Sequence, residues 1–367
     1  MSTNIRERSI CFINSNRVWG GGEKWHYEFS QLLQKEGYRV FAVSYPKSDL
    51  YNRFKESGIH VFCLKISNYS FLRPFQVFKL YRYFRKNKIE TVILGLSSDV
   101  KIGGLAAKLA GLKKIYYRRG SAVPVKNNIL NRFLFRNILT GVIANSLEIK
   151  KAILHFNNSL IAESKIHLLY NCIDFRKIPT HSSSHAYPVK MEGEIWIGNV
   201  GRLVEQKGQR YLIELAGLLK NKGIRFKLLI AGKGKLENEL KSCVISQGLE
   251  NEIYFLGFIS DIEDFFQKID IFILSSIHEG SANVLLEAMA NSKPVVAFEV
   301  SSIGEIVEHE HTGFLAQFKD VTKMADLVIK LIEDQDLRIQ MGLNGKKRVM
   351  EKFHVEHAVE ELKSIIE

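Results

Sequence analysis

The 367-residue sequence has no apolar run approaching the ~20 residues that a membrane-spanning helix needs. Its opening, MSTNIRERSI, has no apolar secretion core, so an unexported, cytoplasmic protein is expected. The four cysteines, Cys11, Cys63, Cys172 and Cys243, are scattered and form no C-x-x-C. That argues against a metal knuckle or a disulfide framework and fits a reducing compartment. The 11 histidines show no ligand spacing, so no metal is expected. There is no low-complexity tract. Carboxylates are scarce in one half only: residues 1–190 carry 31 Lys and Arg against 11 Asp and Glu, a balance of +20. Residues 191–367 carry 21 against 28, a balance of −7. Two domains with different partners are implied, the first meeting something anionic: nucleic acid, phospholipid headgroups or a phosphorylated acceptor.

What is present is a soluble globular composition, 46% hydrophobic and 25% charged. Short runs rich in Val, Ile, Phe and Tyr recur: SICFINS, RVFAVSY, HVFCLKI, TVILGL, KIYYRR, GVIANS and KIHLLYN. Stretches of helical spacing lie between most of them. Such alternation reads as βαβ units around a parallel sheet, and near-continuous hydrophobicity fits strands buried on both faces. A polar, turn-rich stretch, KIPTHSSSHAYPVKMEG, interrupts at 177–193. Alternation resumes with EIWIGNV, KLLIAG, IYFLG, IFILSS and PVVAFE, and beyond Lys319 the chain reads as helix. The fold class is therefore α/β: two Rossmann-like, doubly wound domains that should face a central cleft. The expected division is 1–176, a linker at 177–193, 194–350, and a C-terminal helix at 351–367 that packs back on the first domain.

Three stretches can carry chemistry at the carboxyl ends of such strands, where doubly wound sheets bind ligands. In NSNRVWGGGEKWHYEF, Gly20, Gly21 and Gly22 precede a helix, a place where backbone N–H groups can approach an anion; a plain turn is the bland alternative. The loop is neither G-x-G-x-x-G nor a P-loop, which weakens dinucleotide and nucleoside-triphosphate readings. In GNVGRLVEQKGQRYL, Arg202 and Lys207 follow a buried strand; they suit a diphosphate, though solvated surface cations are commonplace. In HEGSANVLLEAMA, Glu279 flanks a helix start and Glu287 lies about 6 Å further along its axis. A carboxylate accepts bidentately, which suits a vicinal diol such as ribose. The bland readings are a helix-end charge for Glu279 and a buried ion pair for Glu287. His278 is read as loop support. Asp334-Gln335-Asp336 spells D-x-D but falls between helical segments and reads as a helix-end turn. RPFQVFKLYRYFRKNK, Arg73 to Lys88, alternates aromatics with cations; it is read as a core helix with a solvated basic face in preference to a membrane-surface helix.

Taken in order, these motifs resemble the family 4 glycosyltransferases of GT-B fold. Glu279 and Glu287 match the family's E-x7-E pair and GRLVEQKG its phosphate-gripping segment. LLIAGKGKLENELK, FLGF, HTGFLA and IHLLYNCID read as further landmarks. The resemblance implies a retaining, metal-independent transfer of a sugar from a nucleotide-diphosphate donor, most commonly UDP-linked. It implies an anionic or lipid-linked glycan acceptor in lipopolysaccharide, capsule or polysaccharide assembly, and no cofactor. It implies catalytic roles for Glu279, Arg202 and Lys207. Donor contacts would come from Gly21, Gly22, Gly201, Gly232, Phe258, Gly280, Ser281, Ala282, Asn283, Val284, Leu285 and Glu287. Arg118 and Arg119 stand where the family often has a histidine and are the candidate acceptor contacts. Asn171-Cys172-Ile173-Asp174 replaces the usual Asn-Gly-Ile-Asp, and Ala282 a frequent proline. Peripheral contact with the inner face of the cytoplasmic membrane is consistent with the basic half. A sugar-nucleotide epimerase of similar fold and a non-enzymatic nucleic-acid binder are the alternatives; nucleic acid is not the expected partner.

Overall fold

The computed structural model describes residues 8–121, 123–157, 160–175, 187–280 and 282–367. They form two compact units, Met1–Asn171 with Glu356–Glu367, and Cys172–Val355. Residues 177–186 of the expected linker lie outside the described residues, and Tyr187–Gly193 is irregular.

The first unit holds a seven-stranded parallel sheet in the order β3-β2-β1-β4-β5-β6-β7. Its strands are β1 (Ser9–Asn14), β2 (Arg39–Ser44), β3 (His60–Cys63), β4 (Thr91–Leu94), β5 (Lys114–Arg119), β6 (Gly141–Ala144) and β7 (Ile166–Leu168). All six residues of β1 and all four of β4 and β6 are buried, as expected for strands covered on both faces. On one face Ile13, Val43, Leu94 and Ile115 pack against Leu80, Phe84, Ala106 and Phe135 from the covering helices. The helix Gly21–Lys35 presents Trp25, Phe29, Leu32 and Leu33, a run at helical spacing, as its buried stripe.

The second unit holds a six-stranded parallel sheet in the order β10-β9-β8-β11-β12-β13. These are β8 (Ile195–Val200), β9 (Phe226–Ala231), β10 (Ile253–Gly257), β11 (Ile271–Leu274), β12 (Val295–Phe298) and β13 (Gly313–Ala316). β13 was not among the apolar runs expected to be strands. It is four residues long and begins on a glycine, where an added Cβ would stand 2.6 Å from the Val295 carbonyl oxygen.

Strand order reverses between β1 and β4 in one sheet and between β8 and β11 in the other. The glycine loop follows β1, and the other two motifs follow β8 and β11, so each motif stands at such a switch point. Asp334 caps the helix Gln335–Lys352 by accepting from Leu337 N–H, so D-x-D is a helix start. No helix among the described residues is long and apolar enough to cross a membrane.

The first unit's opening stretch ends at Asn171, five residues before the expected boundary at 176. Ile173 N–H donates to Phe353 O at 2.9 Å and Val355 N–H to Ile173 O at 3.0 Å, which anchors the segment after it in the second unit. The last helix, Val355–Ile366, then belongs almost wholly to the first unit. Tyr116 Oη donates to Ile365 O at 2.6 Å, and Lys363 Nζ pairs with Glu36 at 2.9 Å. Ala358, Val359, Leu362 and Ile366 are buried beneath it. Leu362→Ala is expected to destabilise the first unit by about 2–5 kcal/mol, the range for truncating a buried leucine. Urea unfolding followed by a first-unit probe measures this; an unshifted transition would show that the helix contributes nothing there.

Candidate active site

In the second unit the loops after β8, β9 and β11 are locked together by backbone fit. Gly208 has φ 63°, and a Cβ there would overlap the Ser275 carbonyl oxygen. Gly232, expected among the donor contacts, has φ 135°, and a Cβ would overlap the Gly201 carbonyl oxygen. Its role in the fold is thus to let the β9 loop lie against the β8 loop. Hydrogen bonds complete the junction. Asn199 Nδ2 donates to Ile273 O at 2.9 Å, Ile277 N–H to Gln206 O at 2.8 Å, and Ser275 Oγ to Lys207 O at 3.1 Å.

On this scaffold Lys207 and Glu279, 72 residues apart in sequence, meet at 2.6 Å. The Lys207 stem lies over Gly201, whose Cβ position is 3.6 Å from Lys207 Cγ. Glu279 is only 5% exposed. Its Oε1 also accepts from Ser276 Oγ at 2.6 Å, and its N–H donates to Ser301 Oγ at 3.3 Å. Ser301 holds the left-handed backbone, φ 48°. Glu279, read in the sequence as a helix-end charge, is thus one half of a buried ion pair. Ser276 and Ser301 escaped the sequence reading; the Ser275-Ser276 pair closing IFILSS was the available signal.

Glu287 is half-buried, one turn into the helix Asn283–Ala290. Burial, and then the Glu287 charge, raises the Glu263 carboxyl above its ordinary value, while a hydrogen bond from Asn291 opposes the rise. Ala282, the N-cap of this helix, provides no side-chain cap, and its first turn holds no acidic residue. Asn283 and Val284 therefore begin a helix whose first turn carries no carboxylate to offset its dipole. Leu285 is fully buried in the core. Ser281 lies outside the described residues. Arg202 is exposed and has no ion pair among the described residues. Phe258 is 71% exposed. It follows Gly257, whose carbonyl accepts from Gly232 N–H at 2.6 Å.

The first unit's switch point is more self-satisfied. Gly20 caps the helix that Gly21 and Gly22 begin, and Glu23 is a buried carboxylate in its first turn. Asn14 Nδ2 donates to Glu23 at 3.0 Å. A helix start carrying its own carboxylate has less field left for an external anion. His26 Nδ1 donates to Gly22 O at 2.9 Å. Burial, and secondarily the Arg118 charge, pushes the imidazole down to about 3, so it is neutral near pH 7. Arg118 and Arg119 are buried, not displayed at the surface. Arg118 Nη2 donates to Asn171 Oδ1 at 3.0 Å, and the guanidinium lies 5.2 Å from the Trp25 ring centroid. Burial brings it down to about 10, with Glu23 opposing. Arg119 donates to Tyr117 Oη at 3.3 Å and to the Val123 carbonyl. No group of metal-ligating side chains occurs among the described residues.

The chain matches the family models for "Glycosyltransferase Family 4" over residues 19–177 and "Glycosyl transferases group 1" over residues 183–348. It is 29% identical over 351 residues, 91% of each chain, to a capsular polysaccharide biosynthesis glycosyltransferase of Staphylococcus aureus. Several other curated glycosyltransferases match over less than half of their own length. In solved structures the chain resembles a glycosyltransferase from Rickettsia africae, at TM-score 0.86, 19% identity and 98% of both chains. It also resembles Anabaena HepE in complex with UDP, at TM-score 0.83, 20% identity, 97% of this chain and 98% of that one. Both likenesses bear on the fold, which is GT-B.

Asp99 gives a test of the first switch point. It is fully buried and joins the ends of β1 and β4, accepting from Ser15 Oγ at 2.5 Å, Ser15 N–H at 3.3 Å and Leu96 N–H at 3.0 Å. Burial nonetheless raises its carboxyl to about 7. A carboxyl raised in the folded state binds more proton there, so its contribution to stability falls as pH rises from about 4 to about 7 and is constant beyond. The unfolding free energy of Asp99→Asn relative to the unsubstituted protein should therefore rise across that window, on the order of a few kcal/mol. Parallel pH profiles in urea titrations would contradict this.

Proposed function

The chain belongs to the family 4, group 1 glycosyltransferases, and from that premise we propose that it moves a sugar from a nucleoside-diphosphate donor, UDP-linked, to a lipid-linked or anionic glycan with retention of configuration. The observation that carries this reading is the second switch point, where Lys207, Glu279, the exposed Arg202 and an uncapped helix start converge on one short stretch of loops.

The division of labour follows from chemistry. Arg202 offers a planar fork and Lys207 a point charge to the departing diphosphate, where charge develops as the glycosidic bond breaks. With two cations for that task, the reaction proceeds without a divalent metal. Glu287 accepts from the ribose hydroxyls, a bidentate acceptor matched to a vicinal diol. Glu279 orients the donor sugar. One of its oxygens is held by Lys207 and Ser276. A carboxylate so engaged is a poor nucleophile, which favours a mechanism on one face of the sugar without a covalent enzyme intermediate. The acceptor reading draws on the basic first half and on the capsule-assembly relative. Attachment to the inner face of the cytoplasmic membrane belongs to the same reading.

Turnover or slow hydrolysis of a panel of nucleotide sugars in EDTA tests the whole. Activity with none of them, together with no nucleoside-diphosphate binding by calorimetry, would refute it. Arg202→Ala should weaken UDP binding by about 1–3 kcal/mol and leave stability unchanged. Lys207→Ala should weaken binding similarly and also destabilise the second unit, on the order of 3 kcal/mol, because it leaves Glu279 buried without its counter-ion. Equal stability of the two variants would remove the ion pair from this account.

A further inference from the structure

The helix Pro74–Lys86 buries Val77, Leu80, Tyr83 and Phe84 in the first unit's core. This leaves the aromatics Phe75 and Phe78, which a core-helix reading would bury, pointing outward at 81% and 53% exposure. Tyr69 and Leu72 from the preceding turn are 72% and 67% exposed, and Leu109 from a neighbouring helix 61%. Leu72, Phe78 and Leu109 line one apolar groove with Phe71, Pro74 and Tyr81, and Phe75 follows Pro74 on the same helix. Patches of this kind on a soluble unit mark an interaction site.

The surrounding charge has one sign. No Asp or Glu occurs from Ser57 to Ile89, a stretch with seven Lys and Arg, nor from Val100 to Leu147, a stretch with nine. Arg73, Lys79, Arg82, Arg85, Lys86 and Lys108 are exposed and have no ion pair among the described residues. The cations sit among the apolar side chains: Arg82 lies 6.0 Å from the Phe78 ring centroid, and Lys101 Nζ lies 5.9 Å from that of Phe71.

From this we propose that the outer face of Pro74–Lys86, with Leu72 and Leu109, docks on an anionic phospholipid bilayer. Aromatic and aliphatic side chains enter the headgroup–acyl boundary while lysine and arginine stems lie along it and their heads meet lipid phosphates. The groove's leucines and proline offer a nucleic acid no stacking surface, and an acidic protein surface would leave its apolar lining unfilled. The inference deepens the membrane attachment proposed above and rests on that reading for its use; the surface itself is argued from the first unit alone.

Sedimentation of the full chain with vesicles of phosphatidylglycerol and phosphatidylcholine, against phosphatidylcholine alone, tests it. Binding to the anionic vesicles is expected, falling as salt rises. Phe75→Ser with Phe78→Ser should weaken it at least tenfold, and Lys79→Glu with Arg82→Glu should weaken it and reduce its salt dependence, with circular dichroism and UDP calorimetry unchanged. Absence of binding to anionic vesicles, or binding indifferent to both pairs of substitutions, would overturn the assignment. So would a finding that the substitutions instead dissolve a self-associated form. Vesicle binding without nucleotide binding would sink the transferase reading and leave the docking surface standing.

Discussion

The ion pair between Lys207 and Glu279 is the constraint on which the second unit's site depends. At 2.6 Å, with Glu279 almost fully enclosed, each charge answers the desolvation of the other. The pair exists because two loops from opposite sides of a switch point are held in register by Gly208, Ile277 and Ser275. Those contacts in turn need Asn199 to tie β8 to β11. A diphosphate arriving at Lys207 would compete with Glu279 for the same ammonium. Lys207 is thus already engaged by a carboxylate.

The two switch points share topology and differ in chemistry. In the first unit Asp99 is held by Ser15, Glu23 by Asn14 and Arg118 by Asn171, and the helix start there carries its own carboxylate. In the second, Arg202 is exposed and the helix Asn283–Ala290 begins without a side-chain cap. The first is closed by side-chain partners; the second keeps Arg202 exposed. The basic excess of the first half is expressed instead on its flank, around Phe75 and Phe78.

Much of this was legible in the sequence because parallel strands buried on both faces are written as uninterrupted apolar runs. SICFINS, IFILSS and PVVAFE needed no tertiary knowledge. The motif stretches were legible for the same reason: each follows such a run. What was not legible depends on distance in sequence. Which glutamate holds the lysine is decided by a contact across 72 residues. The burial of Arg118 follows from Trp25 and Asn171, and the early boundary at Asn171 from Ile173 reaching Phe353–Val355. The helix Pro74–Lys86 shows the limit of periodicity: Phe75 and Phe78 share helical spacing, yet the core chose the opposite stripe of Val77, Leu80 and Phe84.

The central claim is that the loops after β8 and β11 hold a nucleoside diphosphate. A crystal structure of the protein with UDP measures this most directly. The account predicts the diphosphate against Arg202, Lys207 and the N–H groups at the start of Asn283–Ala290, with the ribose at Glu287. A nucleotide bound elsewhere, with the Lys207–Glu279 pair undisturbed and Arg202 still in solvent, would contradict it.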